Sequence, residues 1–225
     1  MDYVQRGQQL PCSGDVTAAL LVIDVQHDFL EGGALAVPAG SAVIPVINRL
    51  LPCFTQVVVT QDWHPRDHVS FADNHPGRRP FELIDVAYGS QVLWPVHCVQ
   101  GSLGAALPDS LQVETAQLIL RKGCQSSVDS YSAFIEADRQ TSTGLAGYLR
   151  ARGITQVYLC GLATDFCVAW SALDARRLGF DTWVIEDACR AIDLDGSLTN
   201  AWREMLAVGV RRIQSEALLV QAGAR

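Results

Sequence analysis

Tyr158-Leu-Cys-Gly-Leu-Ala-Thr-Asp-Phe-Cys-Val-Ala-Trp170 decides the fold. Its first half is apolar without polar alternation, the pattern of a strand covered on both faces. Its second half opens a helical pattern that runs to about residue 178. A strand passing directly into a helix is the repeating unit of a parallel α/β sheet. The turn between them puts Cys167 at or next to a helix N-terminus, just past the carboxyl end of a strand. Partial positive charge there favours the thiolate, which is the nucleophilic form. Cys167 is therefore either a reactive cysteine or a structural one, because free Cys is also among the most buried residue types.

The same rhythm extends in both directions. Strand candidates are Ala18–Asp24, Val57–Asp62, Leu118–Lys122, Val157–Gly161, Thr182–Glu186 and Arg211–Gln214. Helix candidates lie near 41–51, 142–152, 166–178 and 198–208, with Gly153 and Gly179 where C-caps belong. The alternation predicts an α/β fold: a mostly parallel, about six-stranded sheet between two helical layers, Rossmann-like, in one domain from 18 to 225. Residues 1–17 form an N-terminal extension without assignment. One segment, near 63–117, breaks the rhythm. It reads as a functional insertion, and Trp63, Phe71, Phe81, Tyr88 and Trp94 argue that it is ordered.

Composition narrows the function. The chain has 225 residues, 49% hydrophobic and 18% charged, so it can bury a sizeable core. Its net charge of -7 argues against a nucleic-acid groove or a polybasic membrane patch. The apolar run Ala18–Ile23 is too short to span a bilayer, and residues 1–17 lack a signal-peptide core. Seven cysteines, an odd number without a CxxC pair, suit a reducing compartment, so the expected location is cytoplasmic. Monomers and homo-oligomers both fit the sequence. Dinucleotide and phosphate loops, the GxSxG elbow and HExxH do not occur.

Two constellations carry chemistry. Asp24, Asp62 and Lys122 close the first three strands, and Cys167 follows the fourth. In a parallel sheet these ends share the edge where open α/β folds bind ligands. Singly, each reads as a solvated loop charge; jointly they make a nucleophile with a carboxylate base and an ammonium. Proton transfer from an ordinary thiol to an ordinary Asp costs about 6 kcal/mol. The helix N-terminus and Lys122 are expected to lower the thiol pKa, and burial to raise that of Asp24. Asp28 is a rival base, ranked lower because Asp24 lies nearer the strand end. The second constellation is Asp62-Trp-His64, whose side chains share one side of an extended segment and suit one metal ion. His97 is a third ligand candidate, with Cys98 beside it as a softer competitor. Zn, Fe and Mn all suit such ligands.

These residues resemble the nicotinamidase/pyrazinamidase branch of the isochorismatase-like cysteine hydrolases. The matching pieces are Val22-Ile-Asp-Val-Gln-His-Asp-Phe29, Gly32-Gly-Ala-Leu-Ala-Val37, Gln61-Asp-Trp-His-Pro65, Trp94-Pro-Val-His-Cys-Val-Gln-Gly101, Lys122-Gly, Val128-Asp-Ser-Tyr-Ser-Ala-Phe134 and Gly161-Leu-Ala-Thr-Asp-Phe-Cys-Val168. The resemblance implies an Asp24–Lys122–Cys167 triad hydrolysing nicotinamide to nicotinate and ammonia through a thioester, in NAD salvage, with pyrazinamide as a further substrate. Another small amide, hydrolysed by another amidohydrolase of the superfamily, is the alternative. It also implies an oxyanion hole from the N–H groups of Ala163 and Cys167, and a cis peptide between Ala163 and Thr164. One divalent ion, zinc foremost, is implied on Asp62, His64 and His97, with His68 as a candidate fourth ligand. Phe29, Leu35, Trp94 and Tyr131 match pocket positions, although core packing explains them too. Val96, where many relatives carry Asp, and Cys124-Gln125 depart from the pattern.

Overall fold

The computed structural model describes residues 15–223. Most of the 1–17 extension, including Cys12, lies outside the described residues. Six parallel strands form the central sheet: β1 (Ala18–Ile23), β2 (Gln56–Asp62), β5 (Leu118–Lys122), β6 (Gln156–Leu162), β7 (Asp181–Arg190) and β8 (Arg211–Ile213). Their order across the sheet is β5-β2-β1-β6-β7-β8. The helices are α1 (Val43–Leu50), α2 (Leu145–Ala151), α3 (Ala169–Arg177), α4 (Ser197–Ala207) and α5 (Glu216–Gly223). α1 packs with α5, and α3 with α4, so the sheet is sandwiched. The predicted three-layer α/β/α architecture stands. No helix among the described residues is long and apolar enough to cross a membrane.

Hydrophobic patterning explains the order. β1 is buried along its whole length, and β2 and β6 nearly so, matching their continuous apolar runs. β5 alternates between covered and exposed positions, as an edge strand should, with Ile119 and Arg121 outward and Lys122 buried. The strand order reverses between β1 and β6. Open α/β sheets place a crevice outside the carboxyl ends at such a switch point. Asp24 and the Cys167 turn flank that crevice.

Gly161 is demanded by the close approach of β6 to β1. Its φ is +114°, and a Cβ there would lie 2.1 Å from the Ile23 carbonyl oxygen. The cis peptide is Leu162–Ala163, one residue earlier than the expected Ala163–Thr164. Cys167 also sits differently from expectation. It belongs to a single π-helical turn, Thr164–Val168, and the regular helix α3 starts only at Ala169.

The segment near 63–117 is ordered. It contains a hairpin, β3 (Leu83–Val86) with β4 (Gly89–Val92), that lies outside the main sheet. Bridges His64↔Val99 and Phe71↔Trp94 tie the rest of the segment together. The hairpin and α5 carry no strong pattern in sequence. β3 and β4 are four residues each and largely exposed.

Candidate active site

The register of β2 and β5 sets Asp62 directly opposite Lys122. Lys122 is fully buried, and its ammonium meets four groups. Nζ lies 2.8 Å from Asp24 Oδ2 and 2.5 Å from Asp62 Oδ1. It also donates to the Ser130 carbonyl at 2.8 Å and approaches Cys167 Sγ at 3.4 Å. Asp24 Oδ1 accepts a 2.6 Å hydrogen bond from the Thr60 hydroxyl. Donor atoms of Asp24, Asp62 and Cys167 lie within 4.8 Å of one another. The topology thus brings the predicted triad together at one point.

Burial dominates the ionisation of this cluster. It raises the Asp24 pKa, Asp62 raises it further, and Lys122 opposes both. Burial disfavours charge on Lys122, yet Asp24 and Asp62 outweigh it and push its pKa well up, so the ammonium stays charged. The Cys167 thiol is pushed well above its ordinary value, first by burial, then by Asp24 and Asp62, with Lys122 opposing. This corrects the expected lowering of the thiol pKa. Burial beside two carboxylates outweighs the Lys122 ammonium. Burial thus raises both the thiol and the neighbouring Asp24 carboxyl above their ordinary values.

Asp28 is not part of this cluster. Its carboxylate accepts from the Cys98 N–H (2.7 Å) and the Ala34 N–H (3.3 Å), capping loop backbone. It is a loop organiser, so the rival base reading falls.

A second cluster shares Asp62. Its free Oδ2 lies 3.6 Å from His64 Nε2 and 3.9 Å from His97 Nε2. His64 Nδ1 pairs with the Gly123 carbonyl (2.9 Å) and His97 Nδ1 with the Pro95 carbonyl (2.8 Å). Carbonyls only accept, so each Nδ1 carries the proton and each Nε2 lone pair faces Asp62. One carboxylate oxygen and two imidazole lone pairs converge, the donor set for a borderline divalent ion. The two carboxylates and one ammonium next to it sum to one negative charge, which also favours a cation. The residues fit a metal ion.

His68 is engaged elsewhere. Its Nε2 lies 3.2 Å from the Val128 carbonyl and its Nδ1 2.7 Å from the Ser70 hydroxyl, so both ring nitrogens have protein partners. Its ring lies tilted beside that of His64, with centroids 4.2 Å apart, and its ligand atoms group with those of His64 and Asp129 rather than with Asp62 and His97. The candidate fourth ligand therefore does not join the Asp62–His64–His97 set. Cys98 turns its sulfur toward the Gly104 carbonyl and belongs to no metal-spaced group among the described residues. His75 binds the Val69 carbonyl, away from both clusters.

Both clusters open into one pocket of about 380 Å³. Phe29, Leu35, Trp94 and Tyr131 all line it, as do Ala163 and Cys167. Aromatic and aliphatic walls, with the metal-ligand candidates and the thiol both on the lining, suit a small flat ring with a polar substituent. Sequence reasoning missed Asp129, Phe166 and Ile192 as lining residues. Asp129 and Phe166 stand inside quoted motifs, but a lone side chain without partner spacing gives no signal. Ile192 lies in a loop beyond β7 with no motif at all.

An open parallel sheet with this cluster at its switch point defines an α/β enzyme architecture, and the comparisons give its family. The chain belongs to the isochorismatase family, whose domain profile matches residues 18–217. Within that family its likeness runs to nicotinamidases. It is 59% identical over 202 residues to the nicotinamidase of Acinetobacter baylyi, covering 90% of this chain and 94% of that protein. The solved nicotinamidase/pyrazinamidase of Acinetobacter baumanii is 58% identical, with a TM-score of 0.90 over 91% of this chain and 99% of that one. A pyrazinamidase of Pyrococcus horikoshii, solved in complex with zinc, is 35% identical, with a TM-score of 0.72 over 88% and 99%.

Gly123 tests the imidazole geometry. Its φ is +63°, and a Cβ there would meet His64 Cε1 at 2.4 Å. Gly123→Ala should turn the His64 ring and weaken zinc binding about 10–100-fold, as removal of a ligand-orienting contact does. Competition of the purified variant against a chromogenic chelator measures this. Unchanged affinity would show that the His64 orientation does not matter for the ion.

Proposed function

We infer that this chain is a nicotinamidase that hydrolyses nicotinamide to nicotinate and ammonia, in NAD salvage. The observation that carries the reading is Lys122 Nζ, 2.8 Å from Asp24 Oδ2 and 3.4 Å from Cys167 Sγ, with Cys167 itself lining a pocket walled by aromatic residues. The relatives named above support the choice of substrate.

Cys167 is the nucleophile. As Sγ bonds to the carboxamide carbon, Asp24 takes the thiol proton, and Lys122 offsets the negative charge passing between them. The N–H groups of Ala163 and Cys167 receive the oxyanion, where one donor is typically worth about 10²–10³-fold in rate. The C–N bond breaks as Asp24 returns the proton to the leaving amine, releasing ammonia. Water then gives a proton to Asp24 and attacks the thioester carbon. The C–S bond breaks, nicotinate leaves and the thiol is restored. Asp62, His64 and His97 would hold a divalent ion, zinc by the Pyrococcus precedent, with iron or manganese also suited to these donors. When bound, it supplies a fixed positive point for the pyridine ring nitrogen. Phe29, Leu35, Trp94 and Tyr131 hold the ring faces. Pyrazinamide shares the ring nitrogen and the carboxamide, so the same pocket suits it.

The reading takes 18–225 as one domain with the metal-site insertion near 63–117. It also takes the enzyme as cytoplasmic, on the odd cysteine count without a CxxC pair.

Metal-loaded enzyme should release ammonia from nicotinamide, and Cys167→Ala should abolish release. Absence of release by the wild type overturns the substrate assignment; undiminished release by the variant overturns the nucleophile. The pH dependence follows from the Asp24 environment. Burial, with Asp62, raises its pKa above the ordinary 3.8, and the base must be ionised. Activity is therefore lost as pH falls through that raised value. The acid limb of kcat/KM should lie above the ordinary Asp range; a limb at or below 3.8 contradicts the assignment of Asp24 as base.

A further inference from the structure

The β3–β4 hairpin stands outside the six-stranded sheet, and none of its residues lines the pocket. Two of its side chains nevertheless reach the pocket wall. Gln91 is 1% exposed. Its Nε2 donates to Asp129 Oδ2 (2.7 Å) and the Val92 carbonyl (2.7 Å), and lies 3.2 Å from the Tyr131 hydroxyl. A carboxylate and a carbonyl accept only, so the amide can sit in one orientation. The Tyr88 hydroxyl donates to Gln91 Oε1 (2.8 Å) and accepts from the Asp129 N–H (3.2 Å). The bonds close a ring: Asp129 N–H to Tyr88, Tyr88 to Gln91, Gln91 to the Asp129 carboxylate. Asp129 is thus held by backbone and side chain together. Tyr131 is held by Trp94 Nε1, which donates to its hydroxyl at 2.9 Å, and Gln91 packs against the same hydroxyl. Asp129, Tyr131 and Trp94 all line the pocket.

We propose that Tyr88 and Gln91 are positioning residues: the hairpin clamps Asp129, Tyr131 and Trp94 into a fixed pocket wall and so sets how tightly the pyridine carboxamide is held. The clamp rests on the nicotinamidase reading for its ligand, but touches none of the reacting atoms. A two-stranded hairpin is marginal by itself, so its place depends on such ties. Removing one member leaves the other buried polar groups unpaired, which costs more than the bond itself.

The test is a double-mutant cycle of Tyr88→Phe and Gln91→Met on metal-loaded enzyme, with nicotinamide kcat and KM measured separately and wild type in parallel. Each single change should raise KM about tenfold, while kcat stays within about twofold. The double variant should be little worse than the poorer single one, because both break one ring. Unchanged KM, effects that multiply, or a fall in kcat at constant KM would overturn the clamp. Tyr88→Phe removes one oxygen from a half-buried ring, so it carries the test if Gln91→Met fails to fold. Amide exchange provides a readout that needs no substrate. Tyr88→Phe should speed exchange in segment 129–131 as well as in the hairpin, and unchanged exchange in 129–131 would also overturn the clamp. A wild type that releases no ammonia overturns the nicotinamidase reading instead, and the exchange result then decides the clamp alone.

Discussion

One fully buried ammonium holds the site together. Lys122 ion-pairs with Asp24 and Asp62 and lies against the Cys167 sulfur. A lone buried charge is costly by several kcal/mol, and so is each carboxylate without its partner. The three groups are tolerable only as a set. The set has a consequence for function. Asp24 faces the thiol and Asp62 faces the imidazoles, so the candidate nucleophile site and the candidate metal site share one counter-ion. Lys122 divides its charge between a base that must accept a proton and a ligand that must stay ionised. Asp62 shows the second half: burial disfavours its charge, yet the Lys122 ammonium holds its pKa well below the ordinary range.

The backbone delivers these groups without long-range searching. Asp62 and Lys122 are register partners on adjacent parallel strands. Asp24 follows β1 at φ +48°, a left-handed turn that ends the strand where Thr60 can bind its carboxylate. Cys167 comes from the other side of the switch point. Gly161 allows β6 to press against Ile23 just before the turn that carries it. Ligand sites in open α/β folds occur where strand order reverses because two loops diverge there and leave a crevice.

What the sequence disclosed follows from what each signal depends on. Central strands were legible because burial on both faces forces continuous apolar runs, as in Ala18–Ile23 and Val57–Val59. The convergence of Asp24, Lys122 and Cys167 was legible because they stand at or just beyond strand ends, a one-dimensional property. The direction of the Cys167 pKa was not, since it depends on how completely the folded protein excludes water from Sγ. The surroundings of His68 are not legible for a similar reason: sequence spacing cannot reveal that the Ser70 hydroxyl and the Val128 carbonyl lie against its two ring nitrogens. The hairpin escaped because its strands are short and mostly exposed. Asp129 escaped because its partners, Tyr88 and Gln91, lie about forty positions away in that hairpin.

The nicotinamidase reading then needs no separate provision for binding and chemistry. The same ammonium orders the base and a metal-ligand candidate, and the pocket beside them is walled by side chains the fold already fixes. Lys122→Met, which keeps length and loses charge, tests this most directly when turnover of nicotinamide and zinc affinity are measured on the same folded preparation. The account predicts that turnover falls by at least about 10²-fold, as for the loss of a central electrostatic group, and that zinc affinity shifts because Asp62 loses the partner that orients it. A folded variant that keeps turnover near wild type and binds zinc unchanged would contradict it.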